Sequence, residues 1–388
     1  DHSVKTVGAK GKTGEASPVH LLSTTIGDQL KMATDQKAKV VGVALKDRDS
    51  ILPAGNAADA AYWYDKPSGC FVTSTYYMEK LPDWMQKFNK ENAVPGKELK
   101  VSSDGVTATF NLAKAILKNE QMGKHDVTDM LCVSISSTDA VGHQYGTRGK
   151  ENQDVYMRSD KELAAFLTAL DEQVGKGNYL VVMTADHGGA HNPNLLKKHK
   201  IPAGGWDGKG AMKTANEELA KQFGVQGNLI KDMLNNFFYL DRELIEANKL
   251  SWDDVKAAAI KELKKDPEAQ YVVDMEHIAT SNMPEFLRER ALNAYFPGRT
   301  GEIMVITHPQ VFTWRFGDDY IGTTHGAWNP YDAHIPLLFM GWKIGHGNTY
   351  QPTKIVDMAA TVCALLNIQM PNACIGTAIL PVLESTKK

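Results

Sequence analysis

Cysteine is scarce, with four in 388 residues, at positions 70, 132, 363 and 374, and none in CxxC spacing. That excludes a disulfide scaffold and a thiolate metal motif. Cys132 lies within an apolar run and reads as a buried hydrophobe, while Cys363 and Cys374 are near enough to form one local bridge. Charge of one sign is lacking too: 43 Lys and Arg face 46 Asp and Glu, a net of −3. No bulk basic field exists to hold nucleic acid or an acidic lipid surface, so neither is expected as a partner, and any charged ligand must be bound locally. There is no repeat of 20 to 50 residues and no low-complexity tract. With 43% hydrophobic and 23% charged residues, disorder and membrane spanning are both excluded as global readings. The sequence begins Asp1-His2-Ser3 without an initiator Met or a secretory leader, as a processed product or a piece of a longer protein would.

What the sequence does contain is an alternation of apolar runs and amphipathic segments. Residues 1–16 read as an arm, and Ser17-Pro18 as a helix start, with Leu21, Leu22, Ile26 and Leu30 at helical spacing and an end near Ala33. Ser23, Thr24 and Thr25 would then be helical. KVVGVAL (39–45), DMLCVSIS (129–136), NYLVVMTA (178–185) and IPLLFMG (335–341) read as buried strands, with helices over 153–175 and 353–367. Continuous apolar strands between helices predict an α/β fold, a mostly parallel sheet covered by helices on both faces. The rhythm breaks over 205–320, where helices near 213–223, 227–237 and 251–265 precede the strand-like QYVVDM and EIMVITH. We therefore expect a core of residues 1–204 and 321–388 with an inserted α+β subdomain at 205–320.

Ligands of open α/β sheets bind beyond the carboxyl ends of strands, so the polar residues after each apolar run carry the chemistry. The first run is followed by Lys46-Asp47-Arg48, the second by Asp139 and His143, the third by Asp186-His187, and Gly322–Gly326 with His325 precedes the fourth. Asp139 and His143 are four apart, so one helical turn or a tight loop brings both to a single ion. Each pair alone is equally compatible with a capped turn, Asp186 as a helix N-cap and His187 as its bystander. Their coincidence at neighbouring strand ends favours the oxygen and nitrogen ligands of zinc. His191, His199 and His334 read as structural or exposed. If the segment is extended, Lys46 and Arg48 share a face and suit a phosphate dianion, one as a point charge and the other as a planar fork.

The ordered set KDRDSILPAGNAADAAYW, STDAVGH, TADHGGAHN and GTTHGAWNPYDAHIPLLFMG closely resembles the phosphate-irrepressible, zinc-dependent alkaline phosphatases. These belong to the alkaline phosphatase superfamily, close to the type I phosphodiesterases and nucleotide pyrophosphatases. The resemblance implies two Zn2+ ions, one held by Asp139, His143 and His325 and the other by Asp186 and His187, with Lys46 and Arg48 on the phosphoryl oxygens. It implies hydrolysis of small-molecule phosphate monoesters through a phospho-enzyme, in a periplasmic or secreted setting. The family's nucleophilic Thr, a further ligand Asp and a phosphate-binding Asn have no counterpart here, so the resemblance implies an N-terminal segment outside this chain, removed by proteolysis, omitted, or supplied as a second chain. Rival readings on the same residues are a phosphodiesterase, nucleotide pyrophosphatase or sulfatase, and a non-catalytic metal- or phosphate-binding fragment.

Overall fold

Thr25 and Asp28 decide where the first helix begins. In the computed structural model, which describes residues 1–386, Asp28 N donates to Thr25 Oγ1 at 3.2 Å and Thr25 N donates to Asp28 Oδ2 at 2.8 Å. This reciprocal cap starts the helix at Ile26 and not at Ser17-Pro18, so Ser23, Thr24 and Thr25 precede it; it ends at Ala33 as expected. The chain divides into two units, one of Asp1–Gln144, Arg148–Thr184 and the residues from Pro336 onward, the other of Tyr145–Thr147 and Ala185–Ile335. Asp186, His187 and His325 thus fall in the second unit, whereas the sequence reading assigns them to the core.

Five strands of the first unit, β1 (Thr6–Val7), β2 (Val40–Val43), β3 (Ala60–Asp65), β4 (Cys70–Ser74) and β5 (Met130–Val133), form one sheet in the order β1-β4-β3-β2-β5. Only β3, β2 and β5 run parallel; β4 is antiparallel to both β3 and β1. The sheet is therefore mixed and not mostly parallel, because the short link from Asp65 to Cys70 leaves no room for a crossover and closes a hairpin. Gly42 lets helix Asp47–Ala54 lie close on β2, since a Cβ there would sit 2.0 Å from the Ser50 carbonyl oxygen. Every residue of β2 and β3 is buried, but none of β5 is, nor of the next strand β6 (Leu180–Thr184). Cys132 on β5 is accordingly half-buried as a residue, although burial pushes its thiol up to about 12.

The second unit is built around antiparallel strands. After β7 (Gly204–Gly205), helix Gly208–Phe223 starts at Asp207, whose carboxylate accepts from Gly210 N. The helix expected over 227–237 is instead a hairpin of β8 (Ile230–Leu234) and β9 (Phe237–Leu240). Asn235 and Asn236 both take positive φ, 50° and 68°, and close it as a two-residue turn whose twist matches the strands. With β10 (Ala269–Asp274) and β11 (Ile303–Thr307) the order is β10-β11-β9-β8. Its core packs Leu219, Leu229, Phe238, Val255 and Ile303 together, and β12 (Val311–Phe312) runs parallel to β7.

Beside this core, the ammonium of Lys256 is buried, with a side chain 3% exposed, and it pairs with Asp274 at 3.2 Å and with Glu276. Burial raises the Asp274 carboxyl, but hydrogen bonds from His277 and Lys256 outweigh it and set the net shift downward. A carboxylate depressed in the folded state stabilises above its unfolded pKa and loses that contribution as pH falls through the folded value. Lys256→Met should cost about 2–3 kcal/mol at neutral pH, by stranding the carboxylates. In urea titrations followed by tryptophan fluorescence, the gap between wild type and variant should narrow below about pH 4. A pH-independent gap would show that the lysine acts through packing alone.

The chain returns to the first unit as β13 (Leu337–Gly341), antiparallel to β6. Because β5 ends one sheet and β6 pairs only with β13, each keeps one unpaired edge among the described residues. That is why two runs read as buried strands are only half-buried. Met183, Leu338 and Met340 stand 42%, 47% and 42% exposed on one apolar face of the pair. Helix Asp357–Leu366 follows and ends at Asn367 with φ 55°. The bridge that Cys363 and Cys374 could form is not made; both are free thiols, and Cys363 is raised to about 11, chiefly by burial.

Candidate active site

In the first unit the chemistry gathers where β2 and β5 end. Lys46 is the extended residue immediately before helix Asp47–Ala54, and Arg48 already belongs to its first turn. The shared-face argument for an extended segment therefore does not apply to this pair. Lys46 Nζ donates to Asp139 Oδ2 at 2.9 Å and lies 4.0 Å from Asp49. Arg48 is 68% exposed, with its guanidinium 3.9 Å from Asp47. Asp139 and His143 lie one turn apart on helix Ser137–Tyr145, His143 Nε2 standing 3.0 Å from Asp139 Oδ1. Burial pushes the Asp139 carboxyl up, but hydrogen bonds from His143 and Lys46, with the Lys46 charge, hold it well below the usual carboxylate range. Asp49, which the sequence reading passes over, accepts from Ser136 Oγ at 3.1 Å and so ties the helix after β2 to the segment after β5. Its signal was available: KDRD places a second carboxylate one turn after Lys46.

In the second unit Asp186 and His187 lie in a loop and cap no helix. His187 Nδ1 lies 2.7 Å from the Gly188 carbonyl oxygen, and its Nε2 lies 3.3 Å from Asp186 Oδ2. A carbonyl only accepts, so Nδ1 carries the proton, and in the neutral ring Nε2 presents a lone pair to a carboxylate. Two acceptors so placed fit a cation ligated by both. The ring of His187 stacks on that of His325, with centroids 3.3 Å apart and planes 13° from parallel. Backbone and side-chain bonds fasten the two loops: Ala190 N donates to Thr324 O at 3.1 Å, Asn192 Nδ2 to Gly322 O at 2.8 Å, and Thr323 Oγ1 to Ala190 O. Gly188 is required there, because a Cβ would lie 2.2 Å from the Tyr331 carbonyl oxygen.

Asp332 was not singled out from the sequence, yet it is buried at this junction. Its carbonyl accepts from Gly188 N and its Oδ2 from Ala327 N, both at 2.7 Å, while Oδ1 is buried without a well-formed hydrogen bond among the described residues. Burial raises its carboxyl above the ordinary value, against the opposing pull of the Ala327 bond and of His187. Seven residues after His325 in a loop, it shows no periodicity that would have marked it. His191, His199 and His334 are exposed; His191 lies 3.4 Å from Thr147 Oγ1, and the other two terminate short helices. The donors at Asp139, His143, Asp186, His187 and His325 are carboxylate oxygens and imidazole nitrogens, the set that suits a divalent metal of borderline softness.

Residues 23–328 match the model of the type I phosphodiesterase / nucleotide pyrophosphatase family. The chain belongs to this family. It is 42% identical to a Myroides odoratus protein named calcium-transporting ATPase and 38% identical to alkaline phosphatase PafA of Elizabethkingia meningoseptica, in each case over 99% of this chain and 79% of the relative. Alkaline phosphatase PhoV of Synechococcus elongatus is 35% identical over 99% of this chain and 77% of its own. The crystal structure of PafA superposes with a TM-score of 0.92 at 38% identity, covering 98% of this chain and 82% of that one. The family member described here thus has the alkaline phosphatase-like α/β fold and is a hydrolase of the alkaline phosphatase superfamily. The Myroides alignment runs over 436 positions, more than the 388 residues of this chain, so that relative carries residues within the matched span that this chain lacks. No described helix is long and apolar enough to cross a membrane.

Proposed function

We propose that this family member hydrolyses phosphate monoesters with two zinc ions, one held by Asp139, His143 and His325 and the other by Asp186 and His187, in a periplasmic or secreted setting. The observation that carries the reading is the Lys46 ammonium on the Asp139 carboxylate, 2.9 Å away. A cation suited to a phosphoryl oxygen and a carboxylate suited to a metal share one hydrogen bond, as a site that binds both ligands side by side requires. When bound, the metals supply Lewis acidity to the attacking and leaving oxygens. Lys46 and Arg48 neutralise the non-bridging oxygens, and His187, oriented through Nδ1 by the Gly188 carbonyl, keeps Nε2 for its ligand.

The nucleophile is a threonine of a segment outside residues 1–388. The half-buried apolar strands β5 and β6, each with an unpaired edge, support this, as does the 79% share of the relatives that the chain spans. A solved PafA variant is changed at a threonine, an asparagine, and a lysine and arginine two positions apart. Lys46 and Arg48 have that spacing, and the threonine there precedes the lysine by more residues than lie before Lys46.

The test compares p-nitrophenyl phosphate with bis(p-nitrophenyl) phosphate in the complete protein. Lys46→Ala or Arg48→Ala should lower kcat/KM for the monoester roughly ten- to a hundredfold, since a dianion loses a charge-assisted bond, and much less for the diester. Equal losses on both substrates would assign the pair a structural role and sink the monoesterase reading.

A further inference from the structure

A cavity of about 380 Å³ opens in the first unit beside the residues that hold the phosphoryl group. It lies within the range of small-molecule sites and is larger than one phosphoryl group needs. Lys46 and Arg48 line it, and so do Lys12 and Lys100, against two carboxylates, Glu15 and Asp47. Of these, Glu15 lies 3.6 Å from His2 Nδ1, and Asp47 Oδ1 accepts from the Arg48 amide at 2.8 Å, so the lining keeps a net excess of two cations. Lys12 and Lys100 form no ion pair with any carboxylate among the described residues. Both are held in place from below. Trp63 Nε1, on buried β3, donates to the Thr13 carbonyl at 2.8 Å and fixes the arm that carries Lys12, and buried Leu99 anchors Lys100. A concavity lined by four cations against two carboxylates concentrates anions, and two of these cations form no ion pair among the described residues.

We propose that Lys12 and Lys100 bind a second anionic group of the substrate, a phosphate carried on the leaving group, and so select phosphate compounds with two phosphoryl groups over simple monoesters. The inference rests on the role given above to Lys46 and Arg48 and adds the substrate class. Lys12 and Lys100 would be specificity residues that touch the substrate away from the reacting phosphorus.

The test is calorimetric binding to the complete, zinc-loaded protein, with methylphosphonate and the non-hydrolysable methylenediphosphonate as probes. Wild type should bind the diphosphonate at least about tenfold more tightly than the monophosphonate, as one to two added charge-assisted bonds require. In Lys12→Gln/Lys100→Gln that advantage should vanish while the monophosphonate affinity stays within about twofold. Lys66→Gln, at an exposed lysine outside the cavity, should leave both affinities unchanged. Equal affinities in wild type, an advantage that survives the double substitution, or an equal loss in Lys66→Gln would each overturn the proposal. Turnover does not enter the readout. Absence of monoester hydrolysis in the complete protein would therefore refute the proposed function without touching this result, and active hydrolysis with no diphosphonate advantage would refute only this inference.

Discussion

Purified residues 1–388 are expected to turn over p-nitrophenyl phosphate at the rate of zinc-containing buffer, and adding the segment that carries the threonine should restore activity by on the order of 10⁵–10⁶-fold. That is the scale lost when a nucleophile is removed from a catalytic unit that otherwise remains. The physical basis is twofold. On the proposed reading no phospho-enzyme can form without the external threonine, and β5 and β6 each keep an unpaired edge among the described residues. Zinc stoichiometry supplies an independent readout: on the proposed assignment one ion has three ligands from this chain and the other only Asp186 and His187, so inductively coupled plasma spectrometry should find close to one ion per chain. Rapid turnover by a preparation that mass spectrometry shows to contain these residues alone would require a nucleophile within the chain and would end the account given above.

Asp139→Ala in the complete protein should reduce kcat/KM for monoesters by about 10³-fold or more, corresponding to several kcal/mol of charge stabilisation. The two Asp139 oxygens face the His143 imidazole at 3.0 Å and the Lys46 ammonium at 2.9 Å, a candidate metal ligand and a candidate phosphate ligand. The fold should survive, because the residue lies on a short helix at the sheet's edge and contributes nothing to the apolar core. Zinc content measured beside circular dichroism separates the two explanations. Retained metal and near-normal activity would mean that the carboxylate serves only to hold Lys46.

Four of the five candidate ligands, Asp139, His143, Asp186 and His187, stood out because they follow apolar runs, and strand ends are where open sheets place their chemistry; His325 stood out by its place between glycines before such a run. Asp139 and His143 were readable as one helical turn, and the structure has them on one helix. What escaped were features decided by local competition. The Thr25–Asp28 cap outweighs the apolar periodicity of Leu21 and Leu22, and an Asn-Asn pair able to take positive φ turns a helical pattern into a hairpin. The mixed sheet was hidden because β3 and β4 lie within residues 46–128, a stretch for which no strand was read. Asp332 escaped because a buried loop carboxylate has no periodic neighbours. Continuous apolar character at β5 and β6 was read as burial on both faces, yet both strands are only half-buried among the described residues, because a run of hydrophobic residues does not say which chain segment covers it.

With a metal on Asp139 and phosphate on Lys46, as proposed above, the hydrogen bond between these residues would make the two ligands thermodynamically dependent on each other. One ammonium cannot neutralise a carboxylate and a phosphoryl oxygen equally well, so a divalent ion that takes over the charge of Asp139 releases Lys46 for the substrate. Phosphate affinity and metal affinity must then rise together by the same factor. Scarcity of one ligand would be felt as weakened binding of the other, which makes the pair an AND gate built from a single shared proton donor.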